Sequence, residues 1–166
     1  MSRVGKKPIT LPKGVEVKVD AAGVHVKGPK GTVSTPVLEG ITVAVKDGRV
    51  DLARESEEKR VRAFHGLNRA LVANAVLGVA EGYKRSIDLV GIGYKAEKKG
   101  SEVIFTCGYS HTVRFPEPDG VTIDVAPDAK AKDVTHIVVT GVDKQKVGET
   151  ATRIRGIKPP DPYKLK

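Results

Sequence analysis

Two stretches of this chain match each other without a gap. Pro36-Val-Leu-Glu-Gly40-Ile-Thr-Val aligns with Pro116-Glu-Pro-Asp-Gly120-Val-Thr-Ile. The same register sets Gly28 against Gly108, Thr32 against Thr112, Val33 against Val113 and Val45 against Val125. Upstream it sets Val24 against Ile104. Each block is followed by further strand-like sequence and then by one helical stretch. A sequence that repeats in this way folds as two copies of one unit, each burying its own core. The competing explanation, that short hairpins look alike by composition, does not account for the shared Pro and Gly positions or the shared order of elements.

The unit is legible from its periods. Val15, Val17 and Val19 alternate with Glu16 and Lys18, the mark of a half-buried strand. Val24 and Val26 continue on a second strand, Gly28-Pro-Lys-Gly31 signals a turn, and Val33 opens a third strand. Ile41, Val43 and Val45 lead to an Asp47-Gly48 hairpin signal, with Val50 and Leu52 beyond it. At Ser56 the period changes. Val61, Phe64, Leu67, Leu71, Val72, Ala75 and Val79 recur at three- and four-residue steps, predicting an amphipathic helix. Ser56 is its expected cap, Glu57 and Glu58 suit its positive end, and Gly82 is its expected terminator. Strands are predicted again at 86–90, 94–98, 102–107, 112–115, 121–125 and 136–140. A second helix is predicted from an Asp143 cap through Arg155, and Pro159, Pro160 and Pro162 forbid its extension. The expected fold class is α+β: two tandem similar domains, 1–82 and 83–166, each a mostly antiparallel β-sheet packed against one main helix.

Composition narrows the partners. The 166 residues carry a formal charge of +9, split +5 and +4 between the two halves. Such an excess suits a polyanion: nucleic acid first, an acidic membrane surface second. Aromatic residues make up 4 % and Trp is absent, so the cores must be aliphatic. Cys107 is the sole cysteine, which leaves no disulfide framework or Cys-based metal site and fits a reducing, cytoplasmic setting. The histidines at 25, 65, 111 and 136 have no helical zinc spacing. No apolar run reaches membrane-span length.

Gly91-Ile-Gly93-Tyr-Lys-Ala96 has the spacing of a dinucleotide loop. That chemistry needs a helix N-terminus at the pyrophosphate, and here a charged turn and another strand follow. The glycines are read instead as permitting a bulge or close backbone packing. Ser110 and His111 are adjacent, and the carboxylates are scattered. No catalytic residue, metal ligand or cofactor is predicted. The basic ends are better candidates for gripping phosphate. Arg3, Lys6 and Lys7 form an N-terminal arm. Lys144, Gln145 and Lys146 lie in the first turn of the second helix, and Arg153, Arg155 and Lys158 lie at its end. Tyr163, Lys164 and Lys166 follow on the tail. Tyr109, Ser110 and His111 sit in a turn between strands. Either they meet ribose, phosphate or a base face, or they are a packed hairpin tip.

Taken in order, the motifs resemble the bacterial large-subunit ribosomal protein number six family over essentially the whole chain. They are the opening Met-Ser-Arg-Val-Gly-Lys-Lys-Pro-Ile, Val-Lys-Gly-Pro-Lys-Gly at 26–31 and His65-Gly-Leu-Asn-Arg-Ala-Leu-Val-Ala-Asn74. Gly-Ile-Gly-Tyr-Lys-Ala at 91–96, Gly-Tyr-Ser-His at 108–111 and Gly-Val-Asp-Lys-Gln-Lys-Val-Gly at 141–148 follow. The resemblance implies a non-enzymatic structural constituent of the large ribosomal subunit. It implies binding to large-subunit ribosomal RNA near the sarcin–ricin loop and the elongation-factor landing region, mostly through the second domain. It adds His65, Arg69, Tyr94 and Lys95 to the candidate RNA contacts. Neighbouring ribosomal proteins and transient proximity to elongation factors are implied; a membrane or a small-molecule substrate is not. At Pro160-Asp-Pro-Tyr-Lys-Leu165-Lys166 the sequence departs from the family pattern. Leu165 replaces a glycine, and the sequence stops where members usually continue with a short basic tail. A free-standing RNA-binding regulator and a nucleotide-dependent enzyme resting on Gly91 and Gly93 are the alternatives.

Overall fold

The computed structural model describes residues 5–20, 23–46, 48–127, 134–160 and 163. The chain divides into two compact units, Met1–Gly82 and Tyr83–Lys166. Unit 1 runs β1 (Ile9–Thr10), β2 (Glu16–Asp20), β3 (Gly23–Gly28), β4 (Gly31–Thr35), β5 (Ile41–Lys46), β6 (Arg49–Arg54) and α1 (Lys59–Ala80). Unit 2 repeats that order with β7 (Tyr83–Val90), β8 (Lys95–Lys99), β9 (Glu102–Thr106), β10 (Val113–Pro116), β11 (Val121–Pro127), β12 (Val134–Gly141) and α2 (Lys144–Ile157). The strands form four antiparallel sheets of three. Unit 1 has β2-β3-β4 and β1-β6-β5; unit 2 has β8-β9-β10 and β11-β12-β7. The topology is the same in both, so the fold is two tandem α+β domains. The single sheet expected per domain is in fact two.

Each core is mainly aliphatic, with Phe105 the buried aromatic of unit 2, and follows the alternation of its strands. Val24, Val26, Val50 and Leu52 are buried in unit 1 with Val72, Ala75, Val76 and Val79 of α1. In unit 2, Val103, Phe105, Val121, Ile123, Ile137 and Val139 are buried with Val147 and Ile154 of α2. Full burial of such a side chain contributes about 1.5–3 kcal/mol. The matched Pro and Gly positions of the two copies make the same turn. Ile41 N donates to Leu38 O (3.3 Å) and Val121 N to Pro118 O (3.1 Å). Gly40 and Gly120 sit between them at φ 73° and 79°, where a side chain would be strained.

Three sequence expectations are corrected. First, the ungapped match does not extend upstream of the β9–β10 loop. Val33 pairs with Val26 and Val113 pairs with Phe105. The structural partner of Val24 is therefore Val103, not Ile104. The second copy has one extra residue in this loop, and a one-residue slip exchanges the buried and exposed faces of a strand. Second, Ser56 does not cap α1. The helix starts at Lys59 with Glu58 at the cap position and no side-chain cap, while Glu57 is held by Arg54. Third, the buried face of α1 is rotated from the apolar one. Leu67 is 49 % exposed, whereas His65 and Asn68 are buried at 3 % and 0 %. Backbone groups take up the Asn68 amide and one ring nitrogen of His65. His65 Nε2 donates to Leu52 O at 3.0 Å. Asn68, with its amide oriented to suit its neighbours, donates to Pro36 O (3.2 Å) and accepts from Leu38 N (3.0 Å). Val19, on the strand read as half-buried, is also exposed. The second helix starts as expected, with Asp143 accepting from Gln145 N at 2.8 Å. Gly82 follows α1 at φ 79°, its N–H bonded to Gly78 O at 3.0 Å. Asp47 of the hairpin signal lies outside the described residues; Gly48 beside it has φ 72°.

The β3–β4 and β9–β10 hairpins both reach the C-terminal carbonyls of their own helix, which have no partner within the helix. In unit 1 the tight Gly28-Pro-Lys-Gly31 turn does so through Lys30. Its N–H donates to Val79 O (3.1 Å) and its ammonium to Glu81 O. Gly28 allows the approach: a Cβ there would lie 2.8 Å from Val79 O. In unit 2 the longer loop does it through a side chain, Tyr109 Oη donating to Ile157 O at 3.0 Å.

Glu117 joins the two sheets of unit 2. It receives the Ile123 N–H of edge strand β11 (2.8 Å) and the Lys98 ammonium of β8 (2.9 Å). Burial raises its pKa, but Lys98 and the Ile123 N–H outweigh burial and hold the carboxyl below its ordinary range. This stabilisation is complete above the unfolded Glu pKa and is lost as pH falls through the depressed folded value. Glu117→Gln should cost about 1 kcal/mol at pH 7 and progressively less below about pH 4, measured by urea unfolding at both pH values. A difference independent of pH would exclude the carboxylate as the cause. Gly28→Ala should destabilise by about 2 kcal/mol through overpacking against Val79. Gly148→Ala, in α2 where a Cβ has nothing within 4 Å, should stabilise by about 0.8 kcal/mol. The two melting temperatures should move in opposite directions.

Candidate nucleic-acid interface

The sequence candidates fall into separate groups. In unit 1, Lys6 and Lys7 are exposed on the arm, which is held to α1. Arg69 Nε donates to Lys7 O at 3.2 Å, and Gly5 packs against the His65 ring, which leaves no room for a Cβ. His65 is therefore a buried tie between α1 and β6, not an exposed contact. Arg69 uses one nitrogen to position the arm. Arg3 lies outside the described residues, as do Lys164 and Lys166. Tyr163 is described and is almost fully exposed.

In unit 2 the cations of α2 lie at opposite ends of a 14-residue helix, about 20 Å apart at 1.5 Å per residue. They therefore form two patches. At the N-terminus, Lys144 Nζ lies 5.8 Å from the Tyr83 ring centroid, and Lys146 Nζ donates to Asp119 O at 3.2 Å. The Gln145 N–H is taken by the Asp143 carboxylate, which also places negative charge where an anion would dock. Arg153, midway to the exit, pairs with Glu149 at 2.6 Å.

The exit of α2 is different. Lys158 Nζ sits 4.5 Å from the Tyr109 ring centroid. Tyr109 and His111 stack with centroids 5.8 Å apart and planes 18° apart. Tyr109 is 40 % exposed, and Ser110 and His111 are exposed. The tip is thus packed at Tyr109 and open at His111. Tyr94 lies beneath it. Its ring packs on the core, 2.9 Å from where a Cβ on Gly91 would stand and 3.3 Å from one on Gly108. Tyr94 thus supports the loop from below, and the glycines around it serve close packing. The Gly91–Ala96 segment enters strand β8 and opens no helix. Lys95 is exposed at the start of that strand.

A cleft of about 590 Å³ runs between β7 and α2 beside this loop; Arg85, Asp88, Tyr94, Cys107, Arg155 and Lys158 are among its lining residues. Among the described residues no carboxylate pairs with Arg155. Burial pushes the Cys107 thiol up, with Lys158 pulling partly against it, so the thiol stays protonated and inert at neutral pH. Arg85 was missed by the sequence reading. An isolated cation just before a predicted strand gives no signal until the strand is seen to start earlier, at Tyr83, and to wall a cleft. Among the described residues, no group of three or more His, Cys, Asp or Glu side chains could hold a metal ion, and no helix is long and apolar enough to cross a membrane.

Comparison with known proteins matches the sequence to one family. The family model for ribosomal protein L6 fits the chain twice, over residues 11–82 and 90–166, one match per unit. A large ribosomal subunit protein uL6 of Koribacter versatilis (strain Ellin345) is 52 % identical, covering all of this chain and 89 % of the relative. The uL6 proteins of Roseiflexus sp. (strain RS-1) and Leptospira biflexa serovar Patoc are each 45 % identical. They cover 99 % and 100 % of this chain and 88 % and 89 % of the relatives. On the double family match and these full-length identities, the chain belongs to the ribosomal protein L6 family.

Proposed function

We propose that this chain is a structural, non-catalytic constituent of the large ribosomal subunit in the cytoplasm. In this reading it holds large-subunit ribosomal RNA near the sarcin–ricin loop and the elongation-factor landing region, beside neighbouring ribosomal proteins and in transient proximity to elongation factors. Family membership supports the ribosomal assignment. The observation that carries the RNA reading is the exit of α2. There Lys158 lies against the exposed Tyr109 ring, which stacks with His111 on a loop fixed to the fold, and Arg155 lines the same cleft as Lys158. Cations supply sequence-independent affinity for phosphate, and rings supply a face for unstacked bases.

The second unit is the main grip in this reading. Its hairpin loop is open and aromatic, while the matching turn of unit 1 is closed onto α1. The grip is also weighted toward one end of α2. Lys146 and Arg153 are partly spent on Asp119 and Glu149, so they contribute less than their number suggests.

Affinity for transcribed large-subunit ribosomal RNA should therefore fall steeply with salt. Arg155→Ala combined with Lys158→Ala should reduce the log–log slope by roughly 0.7–0.9 per lost phosphate contact. Lys146→Ala combined with Arg153→Ala should change it by less than half as much. Filter binding across a salt series measures both. Equal slopes for the two double variants would show that the exit of α2 is not the principal contact.

A further inference from the structure

We propose that residues 108–112 form a stacking platform for one unpaired RNA base, with His111 as its outer ring. The inference rests on the RNA-binding reading of unit 2 and specifies how that site recognises its target. Tyr109 is restrained from several sides. Its hydroxyl is bonded to Ile157 O at 3.0 Å, and the Lys158 ammonium lies 4.5 Å from its ring centroid. The loop leaves β9 through Gly108, at φ 72°, where a Cβ would lie 3.3 Å from the Tyr94 ring. On this fixed ring His111 is stacked at 5.8 Å and 18°, and it remains exposed.

Aromatic residues are scarce in this chain, at 4 %, and the core of unit 2 does not use His111. A ring held parallel to another in solvent has already lost the freedom that base stacking would otherwise remove. Base faces are hidden inside an RNA duplex and available in loops, bulges and ends. The platform therefore selects an unpaired nucleotide, with Lys158 placed for a neighbouring phosphate. Residues 108–112 contain no Asn or Gln amide to pair with a base edge. The selection is for an unstacked base, not for a particular one.

The test measures binding of the full chain to transcribed large-subunit ribosomal RNA, comparing wild type, His111→Ala and His111→Phe. His111 is exposed, so unchanged melting should verify that all three fold. His111→Ala should weaken binding about tenfold, with an unchanged salt slope because stacking carries no counterion release. His111→Phe restores the ring and should recover most of that loss. Wild-type affinity in His111→Ala would overturn the platform while leaving RNA binding intact. So would a Phe variant as weak as Ala, because the imidazole would then act through its nitrogens. Absence of salt-dependent binding by the wild-type chain would instead overturn the RNA-binding reading itself.

Discussion

A helix that ends inside a small domain leaves carbonyl groups that need donors. In both halves of this protein the donor comes from the hairpin of the three-stranded meander. That bond fixes where the hairpin tip lies, and the rest of each unit is arranged around it. In unit 1 a tight turn brings the Lys30 N–H and ammonium to the end of α1, and Gly28 must lack a side chain for the strand to approach. In unit 2 one more residue in the loop moves the backbone away and hands the task to the Tyr109 hydroxyl. The same requirement is met by different chemistry, and the second solution turns an aromatic loop outward.

That divergence explains why two copies of one fold need not do the same work. A closed turn presents little beyond Pro29 and Lys30. An open one presents Tyr109, Ser110 and His111 beside the cations that leave α2. The polar ties elsewhere are local. Asn68 holds the turn before β5 to α1, and Glu117 holds two sheets of unit 2 together through Lys98 and the edge of β11. They stabilise the frame that keeps the loop in place.

Much of the frame was legible in the sequence. Strict alternation in Val24–Val26, Val121–Ile123 and the two hairpins marked strands, and Asp143 marked the start of α2. The face of α1 was not legible, because His65 and Asn68 are polar and only the Leu52, Pro36 and Leu38 backbone groups make their burial tolerable. The register of β9 was not legible either, since an ungapped match hides an extra loop residue until strand pairing shows which side chains face inward. The site was readable as a set of residue types but not as a geometry. Nothing in the sequence says that Tyr94 supports a loop from below, or that Arg85 walls a cleft.

The central claim is that the open loop, and not the unit's charge alone, makes the second copy competent to hold RNA. Exchanging residues 107–111 for the Gly-Pro-Lys-Gly turn of residues 28–31, in the full chain, tests it directly. The account predicts a chain that still unfolds cooperatively but binds large-subunit ribosomal RNA more than about tenfold more weakly, the loss of at least one stacked base. A folded chimera that binds as tightly as the parent would contradict it.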